Sequence, residues 1–203
     1  MDRTLFRIRS AFFRPAIRAN LADGIIPFAQ RFHSAGRPEA VVLTLYKKSA
    51  SSPTASSIVP TKGDLVLLAK KKPGAKFLSG QFALVGGIVE KTDLVNADCG
   101  LDVYRNALSR EAFEEAGLRQ SDYASSYCSS FFDRATKFNV HCFSGFLLSD
   151  PGKSIQAQHL AHANLRPADS EHDNFSWIPV RRVFSSRQVS NVAKRAVDLT
   201  LSD

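Results

Sequence analysis

Residues 110–118 (REAFEEAGL) constrain this chain more than any other segment. Glu111 precedes Glu114 by three positions and Glu115 by four, so on a helix all three carboxylates project from neighbouring positions on one side. Like charges at this spacing destabilise an isolated helix by about 0.2–0.5 kcal/mol per pair. Arg110, four residues before Glu114, relieves only part of that repulsion. A divalent cation reverses the penalty. Mg²⁺ and Mn²⁺ take hard oxygen ligands and keep several waters, so a few carboxylates on one rigid helix suit them. A solvated charged face is the commoner use of such a helix and explains the same letters.

The pattern around the segment predicts a helix over 102–116. Tyr104, Leu108 and Ala112 recur at four-residue steps as its buried stripe, Asp102 stands at the N-cap, and Gly117 is placed for a left-handed stop. Upstream, residues 40–46 (AVVLTLY) and 64–69 (DLVLLA) read as strands, separated by a Ser/Thr/Pro-rich loop over 47–63. A basic loop follows with Lys70, Lys71, Lys72 and Lys76, then a short strand over 82–85 ending in a Gly86-Gly87 turn. Glycine lets the backbone approach a ligand closely, so a carbonyl of that turn is a candidate metal ligand. Downstream, 127–132 and 139–148 read as strands, 150–170 as a polar loop, 175–180 as a strand and 188–199 as an amphipathic helix. Strands interrupted by one central helix and closed by a terminal one predict an α/β sheet layered between helices.

Several classes are excluded or lowered. No apolar run approaches the roughly 20 residues needed to span a bilayer. Cys99, Cys128 and Cys142 are scattered and odd in number, which argues against a disulfide framework and against zinc. No Gly-rich loop of the GxxxxGK[ST] type occurs, which removes the usual ATPase cradle. The formal net charge of +8 favours polyanionic partners, whether phosphorylated metabolites, nucleic acid or an anionic surface. Part of it sits in residues 1–36. There Arg3, Arg7, Arg9, Arg14 and Arg18 interleave with Leu5, Phe6, Ile8, Phe12, Phe13 and Ile17, in the manner of a mitochondrial targeting segment. An amphipathic helix packed on the domain fits the same composition. The expected organisation is a basic tail over 1–36 and one domain over 37–203, in the mitochondrial matrix, with the cytoplasm as the alternative.

At its defining positions the segment 110–118 resembles the second half of the Nudix box, G-x5-E-x7-R-E-U-x-E-E-x-G-U with U apolar. Arg110, Glu111, Ala112, Glu114, Glu115, Gly117 and Leu118 occupy R, E, U, E, E, G and U. Gly87 stands for the leading glycine. The first half departs from the pattern: Asp93 keeps the distance from Gly87, Asp102 keeps the distance to Arg110, and the two are nine positions apart. The box therefore carries a nine-residue insertion between Gly87 and Asp102, expected in the loop before the helix. The resemblance covers roughly 39–201 and implies the Nudix fold, an α/β/α sandwich with a mixed central sheet. It further implies a hydrolase dependent on Mg²⁺ or Mn²⁺. Glu114 and Glu115 would be metal ligands, Glu111 a ligand or base, Arg110 the residue holding a Glu in place, and a carbonyl of the Gly-Gly pair, Gly86, a further ligand. Some members add an acidic residue shortly before a Trp; Glu171, six residues before Trp177, is the candidate and Asp173 the competitor.

Residues 78–93 (LSGQFALVGGIVEKTD) resemble the GQxAFPGGxxDxxD segment of the coenzyme A diphosphatases of this family. Gly80, Gln81, Ala83, Gly86, Gly87 and Asp93 match; Leu84, Val85 and Glu90 depart. This favours CoA or an acyl-CoA among nucleoside diphosphates linked to another group. Lys70, Lys72, Lys76 and Gln81 are the candidate substrate contacts, the lysines for additional phosphates or equally as a solvated hairpin tip. RNA is the alternative partner, through 5′-end processing or through a non-catalytic Nudix subunit binding RNA or a mitochondrial complex. A homodimer is compatible with the sequence. His159 and the histidine that follows it, His162, form a weak metal pattern, while His141 and Cys142 read as packing residues of a strand.

Overall fold

A computed structural model describes residues 37–47, 59–95, 97–148 and 171–201. The basic tail, the segment over 48–58 and the polar loop with His159 and His162 lie outside them. Among the described residues a mixed seven-stranded sheet forms from β1 (Glu39–Lys47), β2 (Leu65–Lys71), β3 (Phe82–Ala83), β4 (Val85–Ile88), β5 (Tyr123–Phe132), β6 (Asn139–Leu147) and β7 (His172–Pro179). The strand order is β3-β2-β1-β6-β5, with β4 paired to β1 and β7 to β2. Only β1 and β6 run parallel, from Glu39↔Asn139 to Tyr46↔Phe146. The helices are α1 (Gly100–Ala116), α2 (Val180–Ser185) and α3 (Asn191–Thr200).

Strand alternation sorts the side chains into two cores. Val41, Leu43, Leu45, Leu67 and Ala69 point to the α1 face, where Ala107, Leu108, Ala112 and Ala116 meet them. Val42, Tyr46, Val66 and Leu68 point the other way, onto Val180 and Val183 of α2 and Ala193, Ala196 and Val197 of α3. Tyr104 packs part-buried against the first cluster, as its place in the predicted stripe requires. The result is the expected α/β/α sandwich with a mixed central sheet.

α1 begins two residues earlier than its sequence pattern suggests. Cys99 is the N-cap, and Asp102 stands at the third helical position, where its Oδ2 accepts from the Cys99 N–H at 3.2 Å. It thus closes a capping box from inside the helix. The helix stops where expected: Gly117 takes φ 65°, its N–H reaches the Phe113 carbonyl at 2.9 Å and the Leu118 N–H reaches Ala112 at 3.0 Å. Gly86-Gly87 differs from expectation. The pair is no turn; it lies inside β4, antiparallel to Val42 and Val41. α2 has no counterpart in the sequence pattern, and Pro179 starts it where that pattern runs a strand on to Val180. At the front of α3, Ser190 Oγ accepts from Ala193 N–H at 3.1 Å.

Candidate active site

α1 presents its carboxylates across a cleft of about 520 Å³ to β4 and the end of β2. At the centre, Arg110 binds five acceptor atoms. Its Nε and Nη2 donate to Asp93 Oδ1 at 3.1 Å and Oδ2 at 3.0 Å, and Nη2 also donates to the Ile88 carbonyl at 2.9 Å. Nη1 donates to Glu111 Oε1 at 2.8 Å and to Glu114 Oε2 at 3.1 Å. A planar guanidinium with five N–H donors in a fixed fork suits this arrangement, which ties the helix, the end of β4 and the following 3-10 turn (Lys91–Leu94) into one unit. Burial alone would lower the guanidinium pKa; the bonds to Asp93 and the Glu111 charge outweigh it and raise the pKa.

Asp93 therefore decides a register that spacing leaves open. It is 3% exposed, and its Oδ2 also accepts from the Glu90 N–H at 2.8 Å. Asp102 instead pairs with its own helix neighbours, Cys99 and Arg105. Of the two acids that each satisfy one spacing of the box, the one ion-paired to its arginine is thus Asp93 and not Asp102. The extra residues fall between Asp93 and Arg110 and not between Gly87 and Asp93. Ten of the intervening residues are helical, more than the seven the box allows, so the insertion lengthens α1 itself and does not stay in the loop.

Glu111 lies against Gly87. A Cβ on Gly87 would overlap the Glu111 carboxylate, so only glycine lets strand and side chain approach this closely. At Gly86 the backbone takes φ 148°, and a Cβ would strike the Val41 carbonyl. The Gly86 N–H donates to Glu115 Oε2 at 2.9 Å. The other Glu115 oxygen accepts from Lys71 Nζ at 3.1 Å and lies 3.5 Å from His172 Nε2. Burial pushes the Glu115 carboxyl up to about 7, against the opposing pull of Lys71 and the Gly86 N–H. Burial also raises Glu111, with Arg110 opposing.

Arg110, Glu111, Glu114, Glu115 and Gly86 come together at one cleft. Glu171 joins them through Lys71, whose Nζ also donates to Glu171 Oε2 at 3.3 Å. Backbone pairing sets this up, because the Lys72 N–H donates to the Glu171 carbonyl at 2.8 Å where β2 meets the start of β7. Asp173 falls at the register shift opposite Lys70 and Lys71. Lys76 lines the cleft. Lys70 Nζ stands 6.0 Å from the Phe82 ring centroid, and Gln81 contributes its carbonyl to the Lys71 N–H at 2.9 Å. Lys72 is half-buried beyond the strand end. The residue missed from sequence is Lys71. Grouped with a basic loop, it is the last residue of β2, and its parity with Leu67 and Ala69 was the available signal. His141 and Cys142 are packing residues of β6. His141 Nε2 sits 2.6 Å from Glu39 Oε2, which also accepts from Tyr104 Oη at 2.7 Å, clamping α1 to the sheet.

The donor set fits a hard divalent cation in kind, with Glu111, Glu114, Glu115 and Glu171 around one cleft and a glycine pair close enough for backbone approach. Among the described residues, no three His, Cys, Asp or Glu side chains converge closely enough to hold an ion as they stand. Glu111 and Glu114 are drawn to Arg110, and Glu115 to Lys71.

A mixed sheet between helices, with a carboxylate helix latched by arginine to a Gly-Gly strand, defines a Nudix-fold protein. The Nudix domain model matches residues 52–199, and the chain belongs to the Nudix hydrolase family. β1 precedes the matched span yet occupies the sheet centre, so the folded unit extends beyond it. A Nudix hydrolase from Alicyclobacillus acidocaldarius is similar at 17% identity and TM-score 0.53, over 82% of this chain and 93% of that one. The Nudix domain of Shewanella oneidensis NrtR, solved with ADP-ribose, is similar at 12% identity and TM-score 0.52, over 80% and 85%. At these identities the likeness is one of fold. No curated protein matches by sequence. Nudix hydrolases generally use divalent metals. Among the described residues no helix is long and apolar enough to cross a membrane.

Proposed function

We propose that the chain hydrolyses the diphosphate linkage of a nucleoside diphosphate joined to another group, using Mg²⁺ or Mn²⁺, with CoA or an acyl-CoA favoured. The observation that carries this reading is the Arg110 latch, which brings Glu111 against Gly87 with Glu114 and Glu115 beside it. A bound cation would neutralise the diphosphate and acidify a water. Glu111, its carboxyl raised by burial, is suited to take the proton of an attacking water. Arg110 orients Glu111 through the 2.8 Å bond, and the Gly86 N–H fixes Glu115. Lys76 lines the same cleft and offers a cation to phosphate oxygens beyond the scissile bond. The CoA preference rests on Gly80, Gln81, Ala83, Gly86, Gly87 and Asp93. We further propose that residues 1–36 direct the domain over 37–203 to the mitochondrial matrix.

The test is a panel of diphosphate substrates, including CoA, acyl-CoA, ADP-ribose and capped RNA, with products identified by mass spectrometry. Cleavage that is lost in Glu111→Gln supports the assignment, and an intact panel rejects it. The alternative of a non-catalytic RNA-binding subunit draws on the net charge of +8. It requires salt-dependent RNA binding unchanged by Glu111→Gln.

A further inference from the structure

Lys71 is 7% exposed, and its ammonium lies between two carboxylates, 3.1 Å from Glu115 Oε1 and 3.3 Å from Glu171 Oε2. Strand parity puts it there. Leu67 and Ala69 fill the α1-side core, and Lys71, two residues on, reaches the same face at the rim of the cleft. On its other oxygen Glu115 is fixed by the Gly86 N–H at 2.9 Å, so it cannot turn from the lysine without losing that bond. An ionised carboxylate this deep is destabilised when its cation is removed, and Lys71 is the nearer of the two basic groups at Glu115, with His172 Nε2 at 3.5 Å. A divalent ion held by Glu115 and Glu171 would draw on the same oxygens that now accept from the Lys71 ammonium, so the two cations would compete for them.

We propose that Lys71 is an internal counter-ion that competes with the divalent cation for Glu115 and Glu171, so that binding the cation and moving the Lys71 ammonium into the cleft are one event. Lys71 is thus a positioning residue. It keeps Glu115 and Glu171 apart from an ion until one arrives at sufficient concentration, and it then frees an ammonium beside Lys76 in the cleft that would hold the diphosphate. The inference rests on the metal-dependent reading of the site.

The experiment titrates Mn²⁺ into metal-free full-length protein without substrate, by calorimetry and by the Mn²⁺ paramagnetic signal, for wild type, Lys71→Met and Lys71→Arg. Lys71→Met is expected to bind Mn²⁺ about tenfold more tightly or better, while Lys71→Arg stays near wild type because it keeps the charge. Melting temperatures with and without Mn²⁺ give a second readout. Lys71→Met should be less stable than wild type without the ion and gain more from it, a pattern that mere loss of packing would not produce. If Lys71→Met folds only with Mn²⁺, that rescue is the same result. Equal or weaker Mn²⁺ affinity in Lys71→Met overturns the competition while leaving the metal site standing. Failure of wild type and variants alike to bind millimolar Mn²⁺ overturns the competition and the metal-dependent reading together.

Discussion

Asp93 and Arg110 stand seventeen positions apart and meet through two parallel hydrogen bonds, Nε to Oδ1 at 3.1 Å and Nη2 to Oδ2 at 3.0 Å. The paired fork makes Arg110 rigid, and Arg110 in turn holds Glu111 at 2.8 Å. Asp93→Asn is expected to cost about 3 kcal/mol, because it leaves the guanidinium short of its counter-charge in a largely buried setting. Asp102→Asn should cost much less, since it weakens only an exposed cap and the exposed pair with Arg105. Urea denaturation of the two variants checks the order. A larger loss from Asp102 would return the register of the box to Asp102.

The two glycines of β4 predict different failures. At Gly86→Ala the new Cβ meets the backbone of Val41 at a φ that L residues avoid, so the fold itself should lose about 3 kcal/mol or more. At Gly87→Ala the obstacle is the Glu111 side chain, which can move. That variant should fold, lose about 1 kcal/mol and show a kcat lower by about 10²-fold, the scale expected of a catalytic group displaced by an ångström. Calorimetry and steady-state kinetics on both variants separate the cases.

Glu111→Gln should lower kcat by about 10³-fold with little change in melting temperature, if Glu111 takes the proton of the attacking water. Glu114, the most exposed of the three carboxylates at 55%, contributes little to stability, so loss of activity in Glu114→Gln would report ion binding rather than folding. A Glu114→Gln protein whose activity recovers at higher Mn²⁺ would assign it as a ligand.

Burial has raised the Glu115 carboxyl from 4.5 to about 7, so the folded protein binds more protons than the unfolded chain between those values. In the metal-free protein the contribution of this group is therefore present at low pH and is lost as pH rises through that window. Glu111, raised for the same reason, adds in the same direction. Denaturation midpoints of wild type and Glu115→Gln from pH about 4.5 to about 7 should diverge, with wild type losing ground as pH rises. Parallel curves would show that Lys71 and the Gly86 N–H keep Glu115 ionised throughout.

The helix, its carboxylates and its left-handed stop at Gly117 were legible because they follow from local periodicity and one backbone rule. The Asp93–Arg110 pair was not. Spacing counts along the chain, and the pairing runs across a loop and a helix whose combined length departs from the family's. Lys71 was hidden for a related reason. Three consecutive lysines look like a solvated loop, and only the extent of β2 shows that the middle one points inward while its neighbours do not. Glu171 is singled out in the sequence only by its distance from Trp177, and its place near Glu115 comes from the β2–β7 pairing, which sequence does not fix. The helix over Val180–Ser185 is a single short segment with too few residues for a periodic signal.

The parallel pairing of β1 with β6 has a kinetic meaning. Glu39 meets Asn139 only after roughly a hundred residues have intervened, whereas β1 finds its antiparallel partners β2 and β4 within fifty. Contacts so distant along the chain are slow to form, since a long loop must close before they return any energy. During synthesis β1 precedes β6 by about a hundred residues, and the edge it offers to β6 stays unpaired over that interval. During that interval the exposed strand is a target for chaperones and for other chains.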